Sequence, residues 1–195
     1  LFASAPEIIR ALALCSTQYG FLAGAVWVFS YGSIAVVMGW LADRYSRTRV
    51  IAAGILLWSL CTAGSSLARD FGQLVAARFL VASGEAALVP AAMSLLIELF
   101  PARRTSSAAG VFFMGIPIGI GLSFILAGSV GATQGWRATF QLLGVAGLGV
   151  GIGLLMLRDE RSSTPGQPRG AGFLPQLKAV LAAIRGTPAL LHAIL

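Results

Sequence analysis

Residues 11–42 of this chain carry no charged side chain. A helix rising about 1.5 Å per residue crosses about 30 Å of hydrocarbon in about 20 residues, so this stretch has room for a membrane-spanning helix and its entry loop. The pattern recurs along the chain. Residues 50–68 are uncharged and end at Arg69 and Asp70; residues 71–100 follow and stop at Pro101. Residues 105–157 are interrupted only by Arg137 and divided near residues 131–135 by Gly, Thr and Gln. Spans are therefore predicted at about residues 16–40, 50–68, 71–100, 105–130 and 136–157, in an all-α membrane bundle occupying residues 1–157.

Composition supports the same conclusion. Hydrophobic residues make up 57% of the chain and charged residues 11%, whereas soluble domains carry about 25% charged residues. A formal charge of +7 would suit a nucleic-acid binder. The basic residues, however, fall in short loops between apolar runs, with no basic helix face and no aromatic stacking platform. No nucleic-acid partner is expected. Alternate loops instead differ in basic content. One side holds Arg44, Arg47, Arg49, Arg103, Arg104, Arg158, Arg161, Arg169, Lys178 and Arg185; the other holds Arg10, Arg69 and Arg137. The positive-inside rule places the first set in the cytoplasm, and a bacterial inner membrane is the expected location. Cys15 and Cys61 read as small buried hydrophobes, so neither a metal, a disulfide nor any cofactor is expected.

Residues 158–187 form a predicted cytoplasmic linker. Its first part, residues 164–172, is rich in Pro, Gly and Arg; Phe173, Leu174, Leu177, Val180, Leu181 and Ile184 then recur at helical spacing, as in an amphipathic helix lying on the membrane surface. Residues 188–195 are apolar and are expected to start a seventh span, with the chain belonging to a longer protein. The sole histidine, His192, lies there and reads as a solvated group at a helix start.

Within residues 71–97 the only charges are Arg78 and Glu85. They stand two helical turns apart, about 10 Å along the axis and only about 20° out of register, so guanidinium and carboxylate share a face. Holding a charge at bilayer depth costs about 2.5–3.5 kcal/mol, and such residues normally face a bundle interior or a water-filled path. Glu85 is the candidate proton-sensitive group and Arg78 the candidate partner for an anionic substrate. The alternative is an ion pair that ties helices together, polar glue worth about 0.6 kcal/mol on average.

Glycine is abundant, at 24 residues. Gly110, Gly115, Gly119, Gly121, Gly128 and Gly131, then Gly147, Gly149, Gly151 and Gly153, are expected to let helix backbones approach. Gly115-Ile116-Pro117-Ile118-Gly119 is the candidate for helix bending. Trp27, Phe29, Tyr31, Phe112 and Phe113 are candidates to line a path for a lipid tail. No His/Asp cluster, G-x-S-x-G or H-E-x-x-H motif is present, so enzymatic activity is not expected. A receptor or assembly subunit that moves nothing has no need of a mid-span acid and arginine together.

The loop Gly39-Trp40-Leu41-Ala42-Asp43-Arg44-Tyr45-Ser46-Arg47-Thr48-Arg49 resembles the G-x-L-x-D-R-x-G-R-x loop of the major facilitator superfamily, with Ser46 in place of the usual glycine and the last basic residue at Arg49. In it Gly39 is expected to let two helices touch, Asp43 to accept hydrogen bonds from a helix N-terminus, and Arg44 and Arg47 to pair with an acid such as Glu98. The resemblance implies a cytoplasmic gating cluster and a twelve-span carrier, of which this chain would be most of the N-terminal six-helix half. Arg78-Phe79-Leu80-Val81-Ala82-Ser83-Gly84-Glu85-Ala86, Glu98-Leu99-Phe100-Pro101-Ala102-Arg103-Arg104 and Gly135-Trp136-Arg137-Ala138-Thr139-Phe140 are similar to the Spinster branch. That likeness implies alternating access, proton coupling, a lipid-like substrate such as a lysophospholipid, and partners limited to that substrate, protons, membrane lipids and the C-terminal half. Sugar-acid and organophosphate transporters of the same superfamily share several of these motifs and imply an organic anion instead.

Overall fold

The computed structural model describes residues 2–156. The predicted linker with its amphipathic helix, the start of a seventh span and His192 lie outside the described residues. Among those described the secondary structure is helical, with no strand: a 3-10 turn Phe2–Ser4, then α1 (Ala5–Ala11), α2 (Ser16–Gly20), α3 (Val26–Arg44), α4 (Arg47–Ser65), α5 (Phe71–Glu85), α6 (Leu88–Leu99), α7 (Ala102–Leu126) and α8 (Ala132–Met156). Two π-helical turns, Phe21–Ala25 and Ala127–Gly131, join α2 to α3 and α7 to α8.

Four helical stretches are long and apolar enough to cross a membrane: Ser16–Ala42, Arg47–Ser65, Phe71–Leu99 and Ala102–Met156. The last contains both α7 and α8. Gly135, at φ +80°, leaves the helical path inside it, a backbone conformation that glycine adopts without a Cβ clash. Past Gly135 the chain lies back against the preceding π turn, where a Cβ on Gly131 would stand 3.3 Å from Thr139 Oγ1.

The helix ends follow local chemistry. Cys15 and Gln18 form a reciprocal cap for α2, the Cys15 N–H donating to Gln18 Oε1 and the Gln18 N–H to Cys15 Sγ. Ser46 Oγ accepts from the Arg49 N–H at the start of α4, and Asp70 Oδ1 accepts from the Gln73 N–H at the start of α5. Pro101 opens α7 without an N–H to satisfy.

Two apolar clusters hold the bundle. One joins Ile8, Leu14, Leu22, Ala68, Leu74, Trp136 and Phe140; the other joins Ala42, Val50, Ile51, Ile55, Ala87, Ala91 and Ala92. Along α5 and its continuation, Arg78 and Glu85 fall between Leu74 of the first and Ala87 of the second. The closest helix pair is α4 with α8, and its spacing is set by glycine. A Cβ on Gly144 would meet the Ala63 nitrogen at 2.6 Å, and one on Gly151 would meet Leu56 Cδ2 at 2.7 Å.

Not every glycine expected to bring helices together does so. Gly110, Gly115, Gly119, Gly121, Gly128, Gly149 and Gly153 have open space where a Cβ would be, as does Gly39. The reason is rotational: α7 buries no residue among those described, so its glycines face no packed helix. Three of the expected glycines, Gly131, Gly147 and Gly151, do meet a neighbour, and Gly54, Gly84 and Gly144 make further close approaches. In hydrocarbon an apolar surface such as that of α7 needs no protein cover, because lipid tails solvate it as well as leucine would.

Candidate functional site

Glu85 is the last residue of α5 and Trp27 the second of α3. The Trp27 indole N–H donates to Glu85 Oε2 at 2.7 Å. Tyr31, one turn along α3, stacks on the Trp27 ring with centroids 5.0 Å apart and planes 26° from parallel, and it interacts electrostatically with Glu85. Two of the expected aromatic residues therefore surround the carboxylate. Phe29 is exposed; Phe112 packs against the second apolar cluster and meets Phe113 edge-on at 5.2 Å.

Arg78 lies two turns before Glu85 on α5. Its Nε is buried without a hydrogen-bond partner. The guanidinium lies within electrostatic reach of the Glu85 carboxylate and close to the Tyr19 phenol on α2, yet no ion pair or hydrogen bond links it to Glu85 among the described residues. Guanidinium and carboxylate share the region expected from their spacing, but the carboxylate is held by an indole instead. The partnership of Trp27 was not anticipated. A signal for it exists in the sequence: Trp27 falls well inside its span, away from the interfaces where tryptophan usually anchors, and an indole N–H at that depth must find an acceptor.

At the other end of the bundle Arg47, in the first turn of α4, forms an ion pair with Glu98 near the end of α6. The same guanidinium donates to the Ser94 carbonyl at 3.3 Å. Arg44 lies over the Trp40 ring, 5.5 Å from its centroid, and Asp43 falls in the last turn of α3. So the structure brings Arg47 and Glu98 together and directs Arg44 to an aromatic face. The expected helix contact at Gly39 is not made.

The helix α7 runs through Gly115, Pro117 and Gly119 as one element. Helical irregularity appears immediately after it, at Ala127–Gly131. In the segment Gly135-Trp136-Arg137, the Arg137 guanidinium sits 4.4 Å from the Trp136 ring centroid and donates to the Ala68 carbonyl at 2.9 Å. This joins α8 to the α4–α5 turn on the side opposite Arg47. The described residues contain no group of His, Cys, Asp and Glu that could hold a metal ion.

Comparisons with known proteins follow the same lines. The family model of the Major Facilitator Superfamily matches residues 1–195. Protein spinster homolog 3 of Danio rerio is 36% identical over 149 residues, 75% of this chain and 29% of that protein. The 3-(3-hydroxy-phenyl)propionate transporter of Escherichia coli (strain K12) is 32% identical over 193 residues, 96% of this chain and 45% of that protein. The crystal structure of a bacterial homolog to the human lysosomal transporter Spinster, inward-facing and unoccupied, superposes with a TM-score of 0.73 at 24% identity, over 95% of this chain and 45% of that one. The chain thus spans less than half the length of these relatives. With its long apolar helices and a family match along its whole length, this multi-pass, Spinster-like membrane chain belongs to the Major Facilitator Superfamily of transporters.

Proposed function

We propose that this chain forms the N-terminal bundle of a proton-coupled secondary carrier of the plasma membrane, working by alternating access. The substrate is an amphiphile or organic molecule with an anionic headgroup. Glu85 carries the proton and Arg78 receives the anion. One observation carries this reading: within a single span, a guanidinium keeps a buried Nε without a partner while the nearby carboxylate is engaged by Trp27. An ion pair serving only to tie helices would satisfy both groups with each other. Here Arg78 retains donor capacity that lipid cannot satisfy, and phosphate or carboxylate oxygens are the natural acceptors for a planar, permanently charged fork.

In this mechanism the bundle rocks against a partner half around a site near the midplane. Protonation of Glu85 removes the negative charge acting on Arg78 and leaves the guanidinium to the substrate. The Arg47–Glu98 pair serves as part of the cytoplasmic gate. The resemblance of this chain's motifs to the Spinster branch implies a lipid-like substrate such as a lysophospholipid. Similarity to the hydroxyphenylpropionate carrier over 96% of this chain supports an aromatic carboxylate as the second reading, through the same arginine.

The test is transport by the complete polypeptide in proteoliposomes. Glu85→Gln is expected to abolish pH-driven uptake while leaving the protein inserted; an unchanged pH dependence overturns the reading. Arg78→Ala is expected to weaken an anionic substrate about 10- to 100-fold, the scale of a hydrogen bond to a charged group, and a zwitterionic one less. Equal losses reject the headgroup role. An anionic lysophospholipid and an aromatic carboxylate, supplied separately, distinguish the two substrate classes.

A further inference from the structure

We propose that the Trp27–Glu85 hydrogen bond is a proton-sensitive latch between α3 and α5, in which Trp27 is a positioning residue for the carboxylate. The proposal rests on the reading of Glu85 as the proton-carrying group.

An indole N–H can donate but never accept. Its partner at 2.7 Å is a carboxylate oxygen, and hydrogen bonds to an ionised acceptor are about twice as strong as neutral ones. Proton arrival at Glu85 therefore weakens this bond, because the neutral carboxyl is the poorer acceptor. Trp27 is also held from behind. Tyr31 covers its ring face, so the indole answers a change at Glu85 by carrying α3 with it more readily than by flipping alone.

Both ends of the bond lie next to irregular backbone. The π turn Phe21–Ala25 ends immediately before α3, and α5 stops at Glu85, with Ala86 and Ala87 between it and the start of α6 at Leu88. Single π turns within helices recur at functional sites, where the hydrogen-bond ladder has already changed register. A latch placed between two such points can release one helix from the other without breaking a continuous helical ladder.

The other charged and titratable groups near Glu85 are few. Arg78 lies within electrostatic reach along α5, the Tyr31 phenol comes from α3, and the Tyr19 phenol on α2 lies by Arg78. From α6 comes Glu98, more than three turns away at the cytoplasmic end and paired with Arg47. The indole is thus a direct hydrogen-bonding contact through which a neighbouring helix senses the state of this carboxylate.

Trp27→Phe keeps the ring and its stacking on Tyr31 but deletes the donor. In proteoliposomes containing the complete polypeptide, the pH of half-maximal uptake is expected to move upward by about one unit, a tenfold change in the proton concentration required. The sign follows because the donor favours the charged form, so its loss lets Glu85 take up a proton at lower proton concentration. A profile superimposable on that of the unsubstituted carrier overturns the latch. Glu85→Gln separates the two levels: if it abolishes pH dependence while Trp27→Phe shifts nothing, the latch fails and the role of Glu85 stands; if it leaves pH dependence intact, the role of Glu85 itself fails. Should Trp27→Phe not accumulate in the membrane, tryptophan emission of the unsubstituted protein gives a second measurement. The part of its pH dependence that comes from Trp27, one of four tryptophans in this sequence, is expected to be lost in Glu85→Gln, and an unchanged pH dependence there overturns the proposal.

Discussion

Gly54 on α4 and Gly84 on α5 stand back to back: a Cβ on Gly54 would lie 2.7 Å from the Gly84 carbonyl oxygen, and one on Gly84 would lie 2.8 Å from the Gly54 carbonyl oxygen. Because Gly84 immediately precedes Glu85, this contact sets the distance of the carboxylate from α4 as well as the fit of the two helices.

A side chain at either glycine must push backbone rather than a flexible side-chain end, since Gly84 would also meet the Trp58 nitrogen at 2.7 Å. Gly84→Ala is expected to cost about 1–3 kcal/mol, the scale of overpacking in a closed core, and to reduce transport along with stability. Gly115→Ala on α7, where a Cβ meets open space, is expected to leave stability within about 0.5 kcal/mol of the parent. Thermal unfolding of the two purified variants in detergent checks the contrast; equal midpoints would refute the packing assignment.

Ser59 and Gly147 provide a coupled pair across α4 and α8. A Cβ on Gly147 would collide with Ser59 Oγ and stand 3.0 Å from Ser59 Cβ, while Ser59 Oγ is buried without a partner. Ser59→Ala alone is expected to be neutral or slightly stabilising, because it deletes a buried hydroxyl that makes no hydrogen bond. Gly147→Ala alone is expected to destabilise, and the double variant to recover about 0.5–1.5 kcal/mol relative to additivity. A double-mutant cycle by denaturant titration reads this coupling directly; strict additivity would rule it out.

Arg47 and Glu98 are about a quarter and a third exposed, at 27% and 34%, so the pair is screened and worth only about 0.2–1 kcal/mol to stability. Its effect is expected in function instead. Glu98→Gln should slow uptake several-fold with little change in thermal midpoint, and exchanging the charges, Arg47→Glu with Glu98→Arg, should restore part of the rate. Recovery will be incomplete because Arg47 also donates to the Ser94 carbonyl. A large fall in thermal midpoint for Glu98→Gln without loss of uptake would contradict a gating role.

The all-helical membrane architecture was legible in the sequence because hydrocarbon leaves the backbone few solutions. Uncharged runs of sufficient length must become helices, and caps such as Asp70 and breakers such as Pro101 mark where they begin and end. The spacing of Arg78 and Glu85 likewise placed two charges on one helical face. Spacing along one helix could not reveal what faced them. Trp27 and Glu85 are 58 positions apart, and a rotation of α3 by one residue, about 100°, would aim the indole elsewhere.

The glycines show the same division. Counting them identified helices able to approach closely, but Gly39 and all four glycines of α7 meet open space, whereas Gly54, Gly84 and Gly144 lie against backbone or side chains of a neighbouring helix. Hydropathy is a sum over a segment and is insensitive to which face carries which residue, so the sequence by itself determined the long apolar helices and the presence of a charged couple inside one of them. Only the tertiary structure decided that α8 packs on α4, that an indole takes the carboxylate, and that a buried guanidinium nitrogen is left without a partner, because each of these depends on the rotation and pairing of helices far apart in the chain.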